Sequence, residues 1–154
     1  MPWLLELISN PYLLTALSSW LIAQVLKVII NAIVNRKLDL ERLVGDGGMP
    51  SGHSATVTSL AVFIALANGP GSVEFAIAAI LAVIVCHDAS GVRMETGKQA
   101  AIINELVDFF ENHSKEEITD VKLKELVGHT PIQVTAGILI GILDAVAMHY
   151  LIFR

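Results

Sequence analysis

Two long, mainly apolar stretches constrain the fold of this chain more than any other feature. Tyr12–Val34 and Ile132–Phe153 each exceed 20 residues, and their charged residues are Lys27 in the first and Asp144 in the second. A helix needs about 20 predominantly apolar residues to cross roughly 30 Å of hydrocarbon. These two segments therefore predict membrane-spanning helices.

Two shorter apolar segments, Ser54–Asn68 and Val73–Cys86, lie between the long ones. Only Gly69–Ser72 separates them, and its Gly-Pro-Gly-Ser sequence is typical of a tight turn. The pair forms either a spanning hairpin, which we favour, or a re-entrant hairpin that the longer helices shield from lipid. The expected fold class is all-α: a polytopic membrane helical bundle of about four transmembrane helices, as a single domain over residues 1–154.

The composition agrees with a chain that is solvated by lipid. Charged residues make up 16% of the sequence, against about 25% in soluble domains. The net charge of -5 and the lack of a basic run argue against a nucleic-acid partner. We therefore expect a multi-pass protein of the cell membrane.

The segment 92–128 is polar and holds most of the acidic residues, so we interpret it as an insert outside the bilayer. Within it, residues 99–110 have the apolar spacing of an amphipathic helix, which would lie on the membrane or on the bundle. Thr119–Val127 predicts a second short helix, with Thr119 as its N-cap and Gly128 as its stop.

The basic residues predict the orientation in the membrane. Eight of the 10 lie in the two long loops: Arg36, Lys37, Arg42, Arg93, Lys98, Lys115, Lys122 and Lys124. With four spans these loops share one side, which the positive-inside rule makes cytoplasmic. Residues 35–52 and 90–130 would then face the cytoplasm, and residues 68–72 the outside.

Three polar strings adjoin the ends of the apolar segments. Gly45–Ser54 and Gly128–Gln133 each precede an apolar helix, and Cys86–Arg93 follows one. Four spans place all three strings on the same side of the membrane. The first and third bring His53 and His129 close to helix N-termini, whose amides and dipole attract anions.

This combination of groups suits a phosphate. The Arg93 guanidinium could bind phosphate oxygens in a bidentate manner, and a histidine can act as nucleophile or acid near neutral pH. A metal-dependent lipid phosphotransferase is disfavoured, because no loop has a cluster of closely spaced aspartates. We expect no metal or other cofactor.

The same strings carry a family resemblance that extends over nearly the whole chain. Met49–Ser54 resembles the central Pro-Ser-Gly-His motif of the type 2 phosphatidic acid phosphatase and vanadium haloperoxidase superfamily. The Asp-Ala-Ser-Gly-Val-Arg string at 88–93 and the Gly-His-Thr-Pro-Ile-Gln string at 128–133 are similar to its small, divergent bacterial and plant branch.

The resemblance implies a role for each matching residue. His53 would be the general acid, and His129 the nucleophile that forms a phosphohistidine. Ser51 and Gly52 match the part of the motif that contacts phosphate, and Arg93 would supply a guanidinium.

The chain departs from the superfamily pattern at two places. Gln133 stands where the superfamily has the aspartate that orients the nucleophile, and Asp88 is the alternative orienting residue. The first superfamily motif, a lysine followed by Arg-Pro, is not intact. Lys27, Arg36, Lys37 and Arg42 are the available substitutes, of which Lys37 and Arg42 are the best placed for phosphate binding.

Charged residues within membrane spans are costly and usually functional. For Lys27 and Asp144, we expect an ion pair across the bundle, which would explain both without a role in catalysis.

The resemblance and the residues together predict a metal-independent membrane lipid phosphatase or pyrophosphatase that acts on a phosphorylated lipid through a phosphohistidine. The alternative is a non-catalytic protein with a degenerate site that binds anionic lipid or scaffolds other membrane proteins. Four short spans enclose little space, which is compatible with a homodimer.

Overall fold

A computed structural model describes residues 2–36, 47–114, 121–125 and 127–153. Its helices are α1 (Pro2–Ile8), α2 (Pro11–Asn35), α3 (Gly52–Asn68), α4 (Val73–Ser90), α5 (Val92–Ser114) and α6 (Pro131–Ala147), which a π-helical turn, Met148–Ile152, extends. Among the described residues, three stretches are long and apolar enough to cross a membrane: Pro11–Asn35, Val73–His113 and Pro131–Ile152. With the shorter apolar α3, they confirm the predicted helical membrane bundle.

Side-chain caps fix where the four bundle helices begin. The side-chain oxygens of Asn10, Ser51, Ser72 and Thr130 accept hydrogen bonds from main-chain N–H groups in the first turns of α2, α3, α4 and α6. Such caps satisfy amides that have no partner within the helix. Two of the polar strings, Gly45–Ser54 and Gly128–Gln133, therefore contain helix starts.

Helix α3 lies at the centre of the bundle and packs against α2, α4 and α6. At one end of α3, the Tyr12 hydroxyl donates a hydrogen bond to the Asn68 side chain at 2.5 Å. At the other end, the Ser51 amide donates to the Gln133 carbonyl at 3.0 Å. Helix α2 is therefore antiparallel to α3, whereas α6 is parallel to α3, and the starts of α3 and α6 lie together.

Small residues let the central helices approach closely. A Cβ atom at Gly137 would overlap the carbonyl oxygen of Ser51, and one at Gly141 would lie 2.6 Å from the carbonyl oxygen of Ala55. On the α2 side, Ser19 Oγ donates to the same Ala55 carbonyl at 3.2 Å. Packing through small and hydroxyl side chains is the usual solution where lipid supplies no hydrophobic driving force.

Large apolar side chains point outward instead. On α4, only Ala78 and Ala89 are buried, while Ile77, Ile80 and Ile84 are exposed on its outer face. A surface of this kind is stable against lipid but not against water. It agrees with the membrane location that the sequence predicts.

The polar insert differs in part from the sequence prediction. Helix α5 is longer than the expected amphipathic segment and begins directly after Gly91. Residues 121–125 are not helical, so the predicted helix over Thr119–Val127 is wrong for this part; residues 119, 120 and 126 lie outside the described residues.

The physical reason lies in Asn104, a buried residue of α5. Its side-chain amide donates to the Leu123 carbonyl at 2.9 Å and accepts from the Leu123 amide at 3.0 Å. These bonds replace the intrahelical bonds that Leu123 would otherwise make.

The expected pairing of Lys27 with Asp144 is also wrong. The Asp144 carboxylate accepts a hydrogen bond from Ser18 Oγ at 2.8 Å. Lys27 follows Ser18 by nine residues of the same helix, which is about 14 Å along the axis. That separation is too long for an ion pair with Asp144.

Candidate functional site

The site is organised around His129, whose residue surface is only 3% exposed. Its amide donates to the Ala89 carbonyl at 2.9 Å, which ties the start of α6 to the end of α4. Its ring nitrogen Nδ1 lies 3.1 Å from the Gly48 carbonyl oxygen. His129 is thus positioned by main-chain groups from two other strings of the sequence.

The contact with Gly48 determines the tautomer of the ring. A carbonyl oxygen only accepts hydrogen bonds, so Nδ1 of His129 must carry a proton. In the neutral ring, the lone pair then belongs to Nε2. Gly48 has a φ of 87°, a left-handed conformation that glycine adopts without strain and that aims its carbonyl at the ring.

His53 approaches His129 closely. The two ring centroids are 5.9 Å apart, with the planes inclined by 64°. His53 is the second residue of α3, and the cap of Ser51 onto the Ser54 amide fixes this first turn. The structure therefore brings together the two histidines that the sequence singles out.

Burial lowers the pKa of His129 below its ordinary value of 6.5, and the positive charges of His53 and Lys27 lower it further. Hydrogen bonds with the Gln133 side chain and the Gly48 carbonyl act in the opposite direction but do not prevail. His129 is therefore neutral at pH 7, which leaves the Nε2 lone pair available for reaction.

Lys27 is a member of this site that sequence reasoning placed elsewhere. Its residue surface is 3% exposed, although it lies within the first long apolar helix. With Asn31, Gly48 and Gln133 it lines a cavity of about 250 Å³. The available signal was the cost of a lysine inside a span, which requires it to face protein.

Ser51 and Gly52 are both buried and have structural contacts. Ser51 Oγ accepts hydrogen bonds from the amide and the hydroxyl of Ser54 at 3.3 and 3.0 Å. Gly52 faces Trp20 and Gln24 of α2. Both residues shape the turn that presents His53.

Gln133 has two partners at the start of α6. Its Oε1 accepts from the Thr130 amide at 3.0 Å, while Thr130 Oγ1 accepts from the Gln133 amide at 3.4 Å. This reciprocal pair is a capping box. The Gln133 side chain also forms a hydrogen bond with His129, and this bond acts to raise the pKa of that ring.

Asp88 and Arg93 form an ion pair across the Gly91 break, with Arg93 Nε 2.8 Å from Asp88 Oδ2. The main chain of Arg93 abuts Gly128, next to the nucleophile candidate, but its guanidinium is partly exposed and turned to Asp88. Asp88 therefore pairs with Arg93, and the group in contact with His129 Nδ1 is the Gly48 carbonyl. The two remaining phosphate-binding candidates, Lys37 and Arg42, lie outside the described residues.

His129 also lines a larger cavity of about 580 Å³, which we call the outer cavity. Its walls come from the first turns of α5, from the residues between α5 and α6, from the start of α6 and from Gly48. The lining residues are Gly48, Met94, Gly97, Lys98, Ala101, Glu125, Val127, Gly128, His129, Thr130 and Gln133. Within the described ranges, no three His, Cys, Asp or Glu side chains come together as metal ligands would.

Comparison with known proteins identifies the family of this chain. A model described as the Divergent PAP2 family matches residues 8–144. An uncharacterized membrane protein of Bacillus subtilis (strain 168), YuiD, is 48% identical over 155 residues, covering 95% of this chain and 98% of the relative. No solved structure matches the chain. The chain is a multi-pass membrane protein and belongs to the Divergent PAP2 family.

Proposed function

We propose that this protein is a metal-independent phosphatase or pyrophosphatase for phosphorylated lipids, acting through a phosphohistidine. The observation that supports this most is the proximity of the His53 and His129 rings, whose centroids are 5.9 Å apart. Two imidazoles at this separation can contact the same phosphoryl group, one as nucleophile and the other as acid. Family membership supports the reaction class.

The proposed reaction has two steps. In the first, the Nε2 lone pair of His129 attacks phosphorus, the bond from phosphorus to the leaving oxygen breaks, and His53 donates its proton to that oxygen. In the second, water attacks phosphorus, His53 takes the proton from the water, and the phosphorus–nitrogen bond electrons return to His129. The products are inorganic phosphate and an alcohol, or inorganic phosphate and a lipid monophosphate when the substrate is a lipid pyrophosphate.

Lys27 supplies the buried positive charge in this scheme. It is close enough to His129 to lower the pKa of that ring, and Gly48 and Gln133 line the same cavity as Lys27. A cation stabilises the charge on phosphoryl oxygens best where water is excluded. Lys27 would therefore hold the phosphoryl group that His129 attacks.

The position of the site points to a lipid substrate. His53 and His129 lie at the starts of α3 and α6, where the apolar helices end. A group bound there is at the level of the lipid headgroups. A lipid with a terminal phosphate or pyrophosphate would reach the histidines while its chains remain in the bilayer.

The test is a phosphate-release screen with purified protein in detergent, using lipid phosphates and pyrophosphates in the presence of EDTA. We expect turnover that persists in the chelator, stops with vanadate and passes through an acid-labile phosphoenzyme. Absence of phosphate release from every substrate would contradict the proposal.

A second candidate is a non-catalytic protein that binds anionic lipid or scaffolds other membrane proteins. The neutral carbonyl of Gly48, in contact with His129 Nδ1, favours it, because a neutral acceptor stabilises an imidazolium less than a carboxylate does. This reading predicts saturable binding of anionic lipid vesicles with no phosphoenzyme.

A further inference from the structure

The outer cavity contains an acidic group that the proposed reaction does not use. Glu125 lines this cavity together with His129. The other charged side chain in its lining, Lys98, is paired with Glu95 at 2.7 Å. Among the ion pairs between described residues, none includes Glu125.

The Glu125 carboxylate is held in place. Its Oε1 accepts a hydrogen bond at 2.7 Å from the side-chain amide of Asn104, whose residue surface is 9% exposed. Asn104 is itself fixed by its two bonds to the main chain of Leu123. Glu125 is an exposed residue, and the hydrogen bond from the buried Asn104 orients its carboxylate.

Glu125 is also close to the reacting group along the chain. His129 follows four positions after Glu125, and four steps of extended chain span at most about 14 Å. A ligand in the cavity of about 580 Å³ can contact both. A phosphatase gains nothing from an anion near a phosphate unless the substrate also has a positive charge.

We propose that the outer cavity is the subsite for the leaving group and that it selects phosphate monoesters whose alcohol bears an ammonium group, with Glu125 as the counter-charge. This inference rests on the proposed function, because it assigns the leaving side of the same reaction. Among the other residues of the wall, Met94, Ala101 and Val127 have apolar side chains, which would contact the carbon chain of the alcohol.

The test compares two pairs of esters that differ only in the ammonium group. The soluble pair is 2-aminoethyl phosphate and propyl phosphate, and the lipid pair is 2-aminohexadecyl phosphate and hexadecyl phosphate in detergent micelles. We expect kcat/KM to favour the amine ester by about five-fold, the effect of a partly exposed ion pair. A preference in the lipid pair alone would show that recognition of the ammonium group requires a lipid substrate. A preference in both pairs would show that the headgroup alone is sufficient for recognition.

Glu125→Gln is the decisive variant, because the amide keeps an acceptor for Asn104 but removes the charge. It should abolish the preference, measured as the ratio of kcat/KM for the amine ester to kcat/KM for the propyl or hexadecyl ester within the same variant. Glu74→Gln, at the exposed start of α4 at the opposite end of the bundle, is the matched control and should retain the preference. A wild-type protein without preference, or a preference that survives Glu125→Gln, would overturn the inference.

A readout other than activity separates this inference from the proposed function. If no ester is hydrolysed, the phosphatase proposal fails, and binding of the same pairs is measured by calorimetry. Tighter binding of the amine ester that disappears in Glu125→Gln supports the subsite without the reaction. Equal binding of both esters overturns it.

Discussion

The Gly48 carbonyl oxygen lies 3.1 Å from Nδ1 of His129 and fixes which nitrogen of the ring carries the proton. This main-chain carbonyl takes over part of the role of an orienting carboxylate, because it holds the ring and leaves the lone pair on Nε2. It cannot supply the negative charge that stabilises an imidazolium. The predictions below follow from this arrangement and from the helices that create it.

His129→Ala should abolish phosphoenzyme formation, and His53→Ala should lower turnover by about 100-fold or more, the usual effect of losing a general acid. The first variant loses the nucleophile and the second loses the proton donor. Trapping with labelled substrate and steady-state phosphate release measure the two effects. His113→Ala, at an exposed position of α5, is the control. A normal phosphoenzyme in His129→Ala would rule out the mechanism.

The pH dependence of kcat/KM should reflect the lowered pKa of His129. The nucleophile must be deprotonated, so activity is present above that pKa and is lost as the pH falls through it, with a midpoint below 6.5. Lys27→Met removes a positive charge and should move the midpoint upward. Lys122→Met, which removes an exposed lysine, should not. A midpoint unmoved by Lys27→Met would mean that Lys27 does not act on His129.

Gln133→Glu should raise the pKa of His129, because it adds a negative charge beside the ring while keeping an oxygen for the Thr130 amide. The acidic limb of the rate profile should move upward, and the phosphoenzyme should form faster above pH 7. Asp88→Asn should leave both unchanged, since Asp88 pairs with Arg93. Loss of activity in Asp88→Asn would assign the orienting role to Asp88 instead.

Gly137→Ala should destabilise the bundle by about 1–3 kcal/mol, the cost of overpacking a tight contact. The added Cβ would overlap the Ser51 carbonyl oxygen and displace the turn that presents His53. Denaturant titration in detergent measures the change. Gly71→Ala is the control, because a Cβ there meets nothing within 4 Å. Equal stability of the two variants would contradict this account of the α3–α6 contact.

The orientation in the membrane stays a prediction from the basic residues. The single cysteine, Cys86, is replaced by serine, and a new cysteine is placed at Gly71 or at Thr96. An impermeant thiol reagent should label the Gly71 position from outside and the Thr96 position only after permeabilisation. The reverse pattern would place the histidines on the outer face.

The sequence by itself determined the helical membrane bundle, because span length, turn residues and caps are local properties of the chain. In lipid, an apolar segment must also be helical, since its main-chain groups have no water to bond with. It also determined that His53 and His129 lie on one side of the bundle, since both begin apolar helices. The helix expected over residues 121–125 was not determined in this way, because the amide of Asn104 in α5 satisfies the main chain there.

The tertiary structure decided what surrounds His129. Sequence reasoning offered Gln133 and Asp88 as orienting residues, but a main-chain carbonyl has no side-chain signature, and the contact from Gly48 depends on how the strings fold together. The neighbours of Lys27 were also decided by the tertiary structure. The sequence shows that Lys27 lies inside a span, but only the packing of the helices shows that it lies near His129 and that Asp144 instead pairs with Ser18. Helix starts follow from neighbouring residues, whereas the partners of a buried side chain follow from long-range packing.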